Sequence, residues 1–287
     1  MEQSSRHHYI PRFLIKNFAD NHNMLWVYNK EQTRIVKIQQ SPKAIFFEWD
    51  RNLFDVNGTP ADNIEKMYAD VDDMLSKTLD KILSTHLMTG SALTWMIFLV
   101  GLMKWRIPKA DILFRELTKN TSIRDLGLKM RPVDPKAKVD TEAVKRIEEM
   151  EIIKETKRLL LAVQPLLNES ILDNIHKNCF IVSNEKFPGL LGDCPIIEAS
   201  NSGFDTLQNF IFPLGSNDTL VCKRDCKKNI TSGLFYLQKD LTIFHLSEKY
   251  VACKDRDHLE KIAQIYSTLA NENKTHLLPK YVFELIT

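Results

Sequence analysis

Ile64-Glu65-Lys66-Met67-Tyr68-Ala69-Asp70-Val71-Asp72-Asp73-Met74-Leu75-Ser76-Lys77-Thr78-Leu79-Asp80-Lys81-Ile82-Leu83 is the stretch on which the rest of this chain is read. Ile64, Met67, Val71, Met74, Leu75, Thr78, Leu79, Ile82 and Leu83 recur three and four residues apart, so one face of a helix over about 61–84 carries a continuous apolar stripe. Thr59-Pro60 reads as an N-cap followed by proline at the first helical position, with Asp62 and Glu65 near the positive helix end. Ser91 to Arg106 follows as a second helix, apolar nearly all round and therefore central, and Pro108 stops it. Its most apolar part, Leu93 to Met103, falls well short of the roughly 20 residues that a membrane span takes. Helical spacing continues over 109–120 and 141–162. Between them Arg131-Pro132-Val133-Asp134-Pro135 forbids regular helix and predicts an exposed loop.

On either side of these helices the pattern changes to short β-type runs. Met24 to Tyr28, Arg34 to Ile38, Ala44 to Trp49 and Leu53 to Val56 read as a small antiparallel meander. Beyond the helices, Cys179 to Val182, Leu190 to Leu191, Pro195 to Ile197, Phe210 to Phe212, Thr219 to Cys222, Leu234 to Leu237 and Thr242 to Phe244 read as strands. A final amphipathic helix, Asp255 to Asn271, carries Asp255 as its cap. The expected fold class is α+β: a small N-terminal antiparallel β-meander, a large helical middle, and C-terminal mixed or antiparallel strands with a final helix. We read 1–287 as a single domain with subregions 1–58, 59–176 and 177–287.

Composition narrows the function less than the fold. With 44% hydrophobic and 26% charged residues the chain is an ordinary globular one. Its 39 basic and 37 acidic residues leave a net charge of +2, so bulk charge draws it neither to nucleic acid nor to a membrane. Met1 to His8 lacks the apolar core of a secretory signal, and the expected location is cytoplasmic. Five cysteines, all in the second half and without disulfide-type spacing, are expected as reduced thiols. Cys222 and Cys226 form a lone CxxxC without the second pair that a zinc finger needs. No Gly-rich phosphate loop, GxSxG elbow or HExxH pair occurs, which excludes the familiar nucleotide-binding and hydrolase routes.

Two polar elements stand out. One is Arg6-His7-His8-Tyr9-Ile10-Pro11-Arg12-Phe13-Leu14-Ile15-Lys16-Asn17-Phe18, whose imidazoles suit metal ligation or proton transfer near neutral pH. Neighbours on an extended chain point to opposite sides, so one histidine of the pair faces a given site. The other is Gly192-Asp193-Cys194-Pro195-Ile196-Ile197, an acid between a turn and a short strand.

The His-His-Tyr-Ile-Pro-Arg-Phe-Leu opening, followed by Lys16-Asn17-Phe18, resembles the start of the bacterial, archaeal and phage-borne proteins grouped as domain of unknown function 4238. An acidic helix near Glu65, Trp105-Arg106-Ile107-Pro108 after an apolar helix, Asp193-Cys194-Pro195 after a strand and Phe212-Pro213-Leu214-Gly215 are similar to that family across nearly the whole chain. Where members have Ser-Asp-Asn-Pro, this chain has Gly192-Asp193-Cys194-Pro195. The resemblance implies an architecture and no established activity.

The expected site gathers His7, His8, Arg106 and Asp193 as catalytic groups, with His8, Glu65 and Asp193 as ligands of a divalent metal ion. Imidazole and carboxylate would hold a cation that activates water while Arg106 stabilises the charge developing on a phosphate. That is the chemistry of a metal-dependent phosphodiesterase or nuclease, with nucleic acid as partner. Each residue also has a plainer role. Arg106 and Glu65 sit where they offset helix dipoles, Asp193 suits an Asx turn, and the histidines suit a polar anchor for the terminus. The competing class is a non-catalytic binding or interaction module linked to phage or mobile-element biology. Its contact surfaces would be the Arg131–Lys138 loop and the basic Lys223–Lys228 turn.

Overall fold

A computed structural model describes residues 5–56, 59–127, 130–134, 136–199 and 207–287. The chain opens with strand β1 (Arg6–His8), a short helix α1 (Arg12–Lys16) and strands β2 (Trp26–Asn29), β3 (Arg34–Ile35), β4 (Phe47–Trp49), β5 (Phe54–Val56) and β6 (Thr59–Ala61). The helical middle is α2 (Asn63–Thr85), α3 (Gly90–Arg106), α4 (Asp111–Thr118), α5 (Thr141–Glu149), α6 (Glu151–Val163) and α7 (Glu169–Asn178). Then come β7 (Cys179–Ser183), β8 (Leu191–Gly192), β9 (Ile197–Glu198), β10 (Phe210–Pro213), β11 (Asp218–Cys222), α8 (Leu234–Leu246), β12 (Tyr250–Cys253), α9 (Arg256–Asn271) and α10 (Leu278–Glu284). The architecture is mixed α+β, with antiparallel strands flanking a helical middle, as the alternating patterns predict.

The middle is organised by α3. Met96, Ile97, Leu99, Val100, Leu102 and Met103 are almost fully buried on every side of this helix. Thr89 caps it by accepting from the Ala92 amide at 3.2 Å. Helix α6 crosses closely because Gly101 has no side chain: a Cβ there would sit 2.7 Å from the Ala162 carbonyl oxygen. Helix α2 lays Ile64, Tyr68, Leu75, Leu79 and Ile82 into the same core.

Three local expectations are corrected. Thr59-Pro60 does not cap α2, because residues 59–61 pair antiparallel with 54–56 and the helix starts after Asp62. A proline is tolerated there because an edge strand has amides that need no partner. The single helix expected over 141–162 breaks at Met150, which adopts extended backbone (φ −64°, ψ 133°). The exposed α5 buries no residue, whereas α6 buries Leu159, Leu161 and Ala162. The strands expected at Leu234–Leu237 and Thr242–Phe244 are one helix, α8. It is buried all round, and a short apolar run without a period cannot distinguish such a helix from a core strand.

Two four-stranded antiparallel sheets organise the C-terminal half, in the orders β7-β11-β10-β9 and β3-β2-β12-β8. The second joins both ends of the chain: β2 pairs with β12 in the register Trp26↔Cys253 to Asn29↔Tyr250. Strand β12 was not anticipated. The N-terminal strands are thus divided, β2 and β3 lying in this sheet while β1 pairs with β4 and β5 with β6. Lys30 fastens the sheet to α8 by donating from Nζ to the carbonyls of Phe244 (2.8 Å) and Ser247 (2.5 Å). Asp255 caps α9, accepting from the His258 amide at 2.9 Å, as its position predicts. All five cysteines are free. Among the described residues no helix is long and apolar enough to cross a membrane.

Candidate functional site

Glu65, Tyr68 and Asp72 share one face of α2, being three and four residues apart. The last residue of α3, Arg106, meets that face. Its side chain is only 4% exposed, its guanidinium lies 4.2 Å from the Tyr68 ring centroid, and Nη1 donates to both Asp72 oxygens at 2.9 and 3.1 Å. Burial pushes the Asp72 carboxyl above its ordinary value, and Arg106 pulls it back down. Arg106 Nε is buried and has no hydrogen-bond partner.

Two more guanidinium groups adjoin it. Arg51 donates to Asp111 from both terminal nitrogens, at 2.6 and 3.0 Å, and from Nη2 to the Arg106 carbonyl at 3.3 Å. Arg158 on α6 donates to the Trp105 carbonyl at 2.8 Å, pairs with Asp111 at 3.0 Å and with Glu155, and lies 3.9 Å from the Phe114 ring centroid. Asp111 therefore serves two arginines at once. Together Arg51, Arg106 and Arg158 line a cleft of about 830 Å³ between the end of α3, α4 and the α5–α6 pair, and basic residues outnumber acidic ones in its lining.

His7 is buried, and its Nδ1 accepts from the Asn52 amide at 2.8 Å, so the ring proton resides on Nε2 and faces the Ser5 hydroxyl at 2.6 Å. The Asn52 side chain donates to Glu65 Oε2 at 2.7 Å and itself lines the cleft. His7 and Glu65 are thus linked through Asn52, which lines the cleft together with Arg106. Strand alternation turns His8 to the opposite side of β1, where its ring packs 5.8 Å from that of Phe47. Burial above all, with the charges of Arg12 and Arg106, pushes its pKa down to about 4, and its Nε2 has no partner.

That depressed value has a stability consequence. Between about 4 and 6.5 the folded protein binds fewer protons at His8 than the unfolded chain does, so the His8 contribution is lost as pH falls through that window. Wild type should therefore lose Tm relative to His8→Phe from pH 7 to pH 4 in a calorimetric series. A difference independent of pH would refute this account of His8.

Asp193 follows β8 and is buried. Its Oδ1 accepts from the Glu248 amide at 2.8 Å, and Oδ2 accepts from Lys249 at 2.6 Å and Tyr250 at 2.9 Å. The carboxylate clamps the turn that leads from α8 into β12. It borders a separate pocket of about 120 Å³ with Tyr9, Glu48 and Cys194. Glu48 stands between the two places, since it also pairs with Arg51 at 2.5 Å.

A family model described as "Protein of unknown function (DUF4238)" matches residues 6–233. The chain belongs to this family. In this DUF4238 member the matched span holds β1, the arginine-lined cleft and Asp193, and it ends just before α8. No curated protein and no solved structure matches the chain.

Among the described residues of this DUF4238 chain, no group of three or more His, Cys, Asp or Glu side chains could hold a metal ion. His8, Glu65 and Asp193, expected as ligands, form no such group. Sequence reasoning missed Arg51, Asn52, Asp72, Asp111 and Arg158. Asp72 did carry a signal, because it shares its helix face with buried Tyr68 and Leu75, where an acid demands a cation. The others reach the cleft from elements that no spacing rule joins.

Proposed function

We propose that this DUF4238 chain binds a phosphate-bearing ligand in the arginine-lined cleft. The observation that supports it is Arg106, a cleft-lining residue whose Nε–H is buried and unpartnered. An unpaired buried donor costs about 1–3 kcal/mol, and an oxyanion on the guanidinium edge would remove that cost. Arg51 and Arg158 add positive charge beside it. Phosphodiesters of nucleotides and nucleic acids belong to this ligand class, and free thiols fit a reducing compartment such as the cytoplasm.

Titration calorimetry with pyrophosphate tests the reading on wild type and Arg106→Lys. Lysine keeps a charge beside Asp72 but lacks the planar edge. Binding should weaken at least about tenfold, the equivalent of ~1.4 kcal/mol. Equal affinity in both proteins, or none in the wild type, would refute it.

Phosphodiester hydrolysis is the second reading, favoured by the His7–Asn52–Glu65 chain of hydrogen bonds, whose middle member lines the cleft. Its sign would be turnover of bis(p-nitrophenyl) phosphate with Mg²⁺ or Mn²⁺ that is lost in Glu65→Gln. No turnover would leave binding as the function.

A further inference from the structure

The shape of the cleft says more about its ligand than its charge does. Proteins that hold single strands offer free aromatic faces on which bases stack. Here the two rings in the lining are already covered: Arg106 lies over Tyr68 and Arg158 over Phe114, and both rings are only 2% exposed. No face of either is left for a base.

Depth points the same way. Arg106 and Arg158 are 4% and 6% exposed, and Arg106 Nε is buried without a hydrogen-bond partner, so little of either guanidinium is open to a bulky ligand. A slender terminal phosphate is the easier fit. A strand's backbone phosphates, flanked by sugars on both sides, are the bulkier group to bring against side chains so little exposed.

The rim completes the argument. Glu148, Glu149 and Glu151 stand together between Lys145 and Lys154 along the α5–α6 edge, and Lys154 pairs with Glu151 at 2.6 Å. A polyanion leaving the cleft across this edge would pass like charges. Elsewhere in the lining Arg51 and Arg158 share Asp111. Electrostatic tracks for nucleic acid extend along a surface as continuous basic stretches, whereas Asp111, Glu148, Glu149, Glu151 and Glu155 interrupt the basic residues of this lining.

We infer that the cleft takes a compact oligophosphate, such as the phosphate tail of a nucleoside di- or triphosphate, and excludes the backbone of a nucleic-acid strand. The inference rests on the phosphate-binding reading above. A volume near 830 Å³ lies within the usual range for ligands of nucleotide size.

The test is calorimetry at one fixed ionic strength with four probes: inorganic phosphate, tripolyphosphate, adenosine triphosphate and a single-stranded twelve-nucleotide DNA bearing hydroxyl groups at both ends. Tripolyphosphate and the nucleotide should bind at least tenfold tighter than phosphate, and at least tenfold tighter than the oligonucleotide. In Glu149→Lys, which removes one rim acid, oligonucleotide affinity should rise more than tripolyphosphate affinity. An oligonucleotide that binds as tightly as tripolyphosphate, or a triphosphate no better than phosphate, would overturn the inference while leaving phosphate binding intact. Failure of every probe to bind would remove both.

Discussion

Asp193→Ala should lower the unfolding free energy by about 3 kcal/mol, because three amide donors lose a carboxylate acceptor at once. Hydrogen bonds to a charged group contribute about 1.5–3 kcal/mol each, and water entering the space left by the side chain would recover part of the sum. Asp193→Asn is the more informative variant. One of its oxygens becomes an NH₂ group that must face a backbone donor, so asparagine should behave closer to alanine than to aspartate in urea unfolding. Pyrophosphate affinity of whatever folds should stay unchanged, since Asp193 borders the smaller pocket and not the arginine-lined cleft. A reacting carboxylate would give the opposite pattern, with stability kept and chemistry lost. If Asp193→Asn unfolds at the wild-type urea midpoint, the clamp described here has no energetic weight.

Arg106→Met should be comparably destabilising, by about 3 kcal/mol, for a different reason. Removing one partner of a largely buried ion pair leaves the other charge without compensation. Asp72 is that charge, held against Arg106 through both of its oxygens. Adding Asp72→Asn to Arg106→Met should restore much of the loss, which makes the pair a double-mutant cycle with a positive coupling. The sign with pH follows from the raised Asp72 carboxyl. In Arg106→Met the folded state takes up a proton there more readily than the unfolded chain, so the deficit should narrow as the solution is acidified. A double variant as unstable as the single one, or a deficit that widens in acid, would show that Asp72 is not the residue left exposed to the cost.

The helices were legible from periodicity because α2 meets the core with one stripe and α3 with its whole circumference. Those two patterns follow directly from 3.6 residues per turn. The helix α8 was not legible, since its apolar side chains are distributed as those of a core strand would be, and its polar Lys239 and Asp240 resembled a turn. Inside the fold they satisfy each other at 3.0 Å, with His258 on the second Asp240 oxygen at 2.9 Å. Of the expected site, Arg106, Glu65 and His7 were singled out by residue type and by resemblance; Arg106 lines the cleft, and His7 and Glu65 hydrogen-bond to Asn52, another lining residue. Asp193 came from the same reasoning, yet its partners are the amides of residues 248–250, contacts made through space between segments with no shared pattern. The arginine cluster escaped notice for a related cause. Arg51, Asp111 and Arg158 come from separate segments of the chain, and no spacing in the sequence links them.

The pairing of β2 with β12 sets an order of events during synthesis. Trp26 leaves the ribosome long before Cys253, its neighbour in the sheet, and at 5–20 residues per second the interval is roughly 10–45 s. For that time β2 can pair through one edge with β3 while the other edge waits. An unpaired edge is a template for association with other chains. The amino-terminal half of this protein is therefore born with a dependence on whatever shields nascent strands in the cell, and that dependence ends only when the last quarter of the polypeptide emerges.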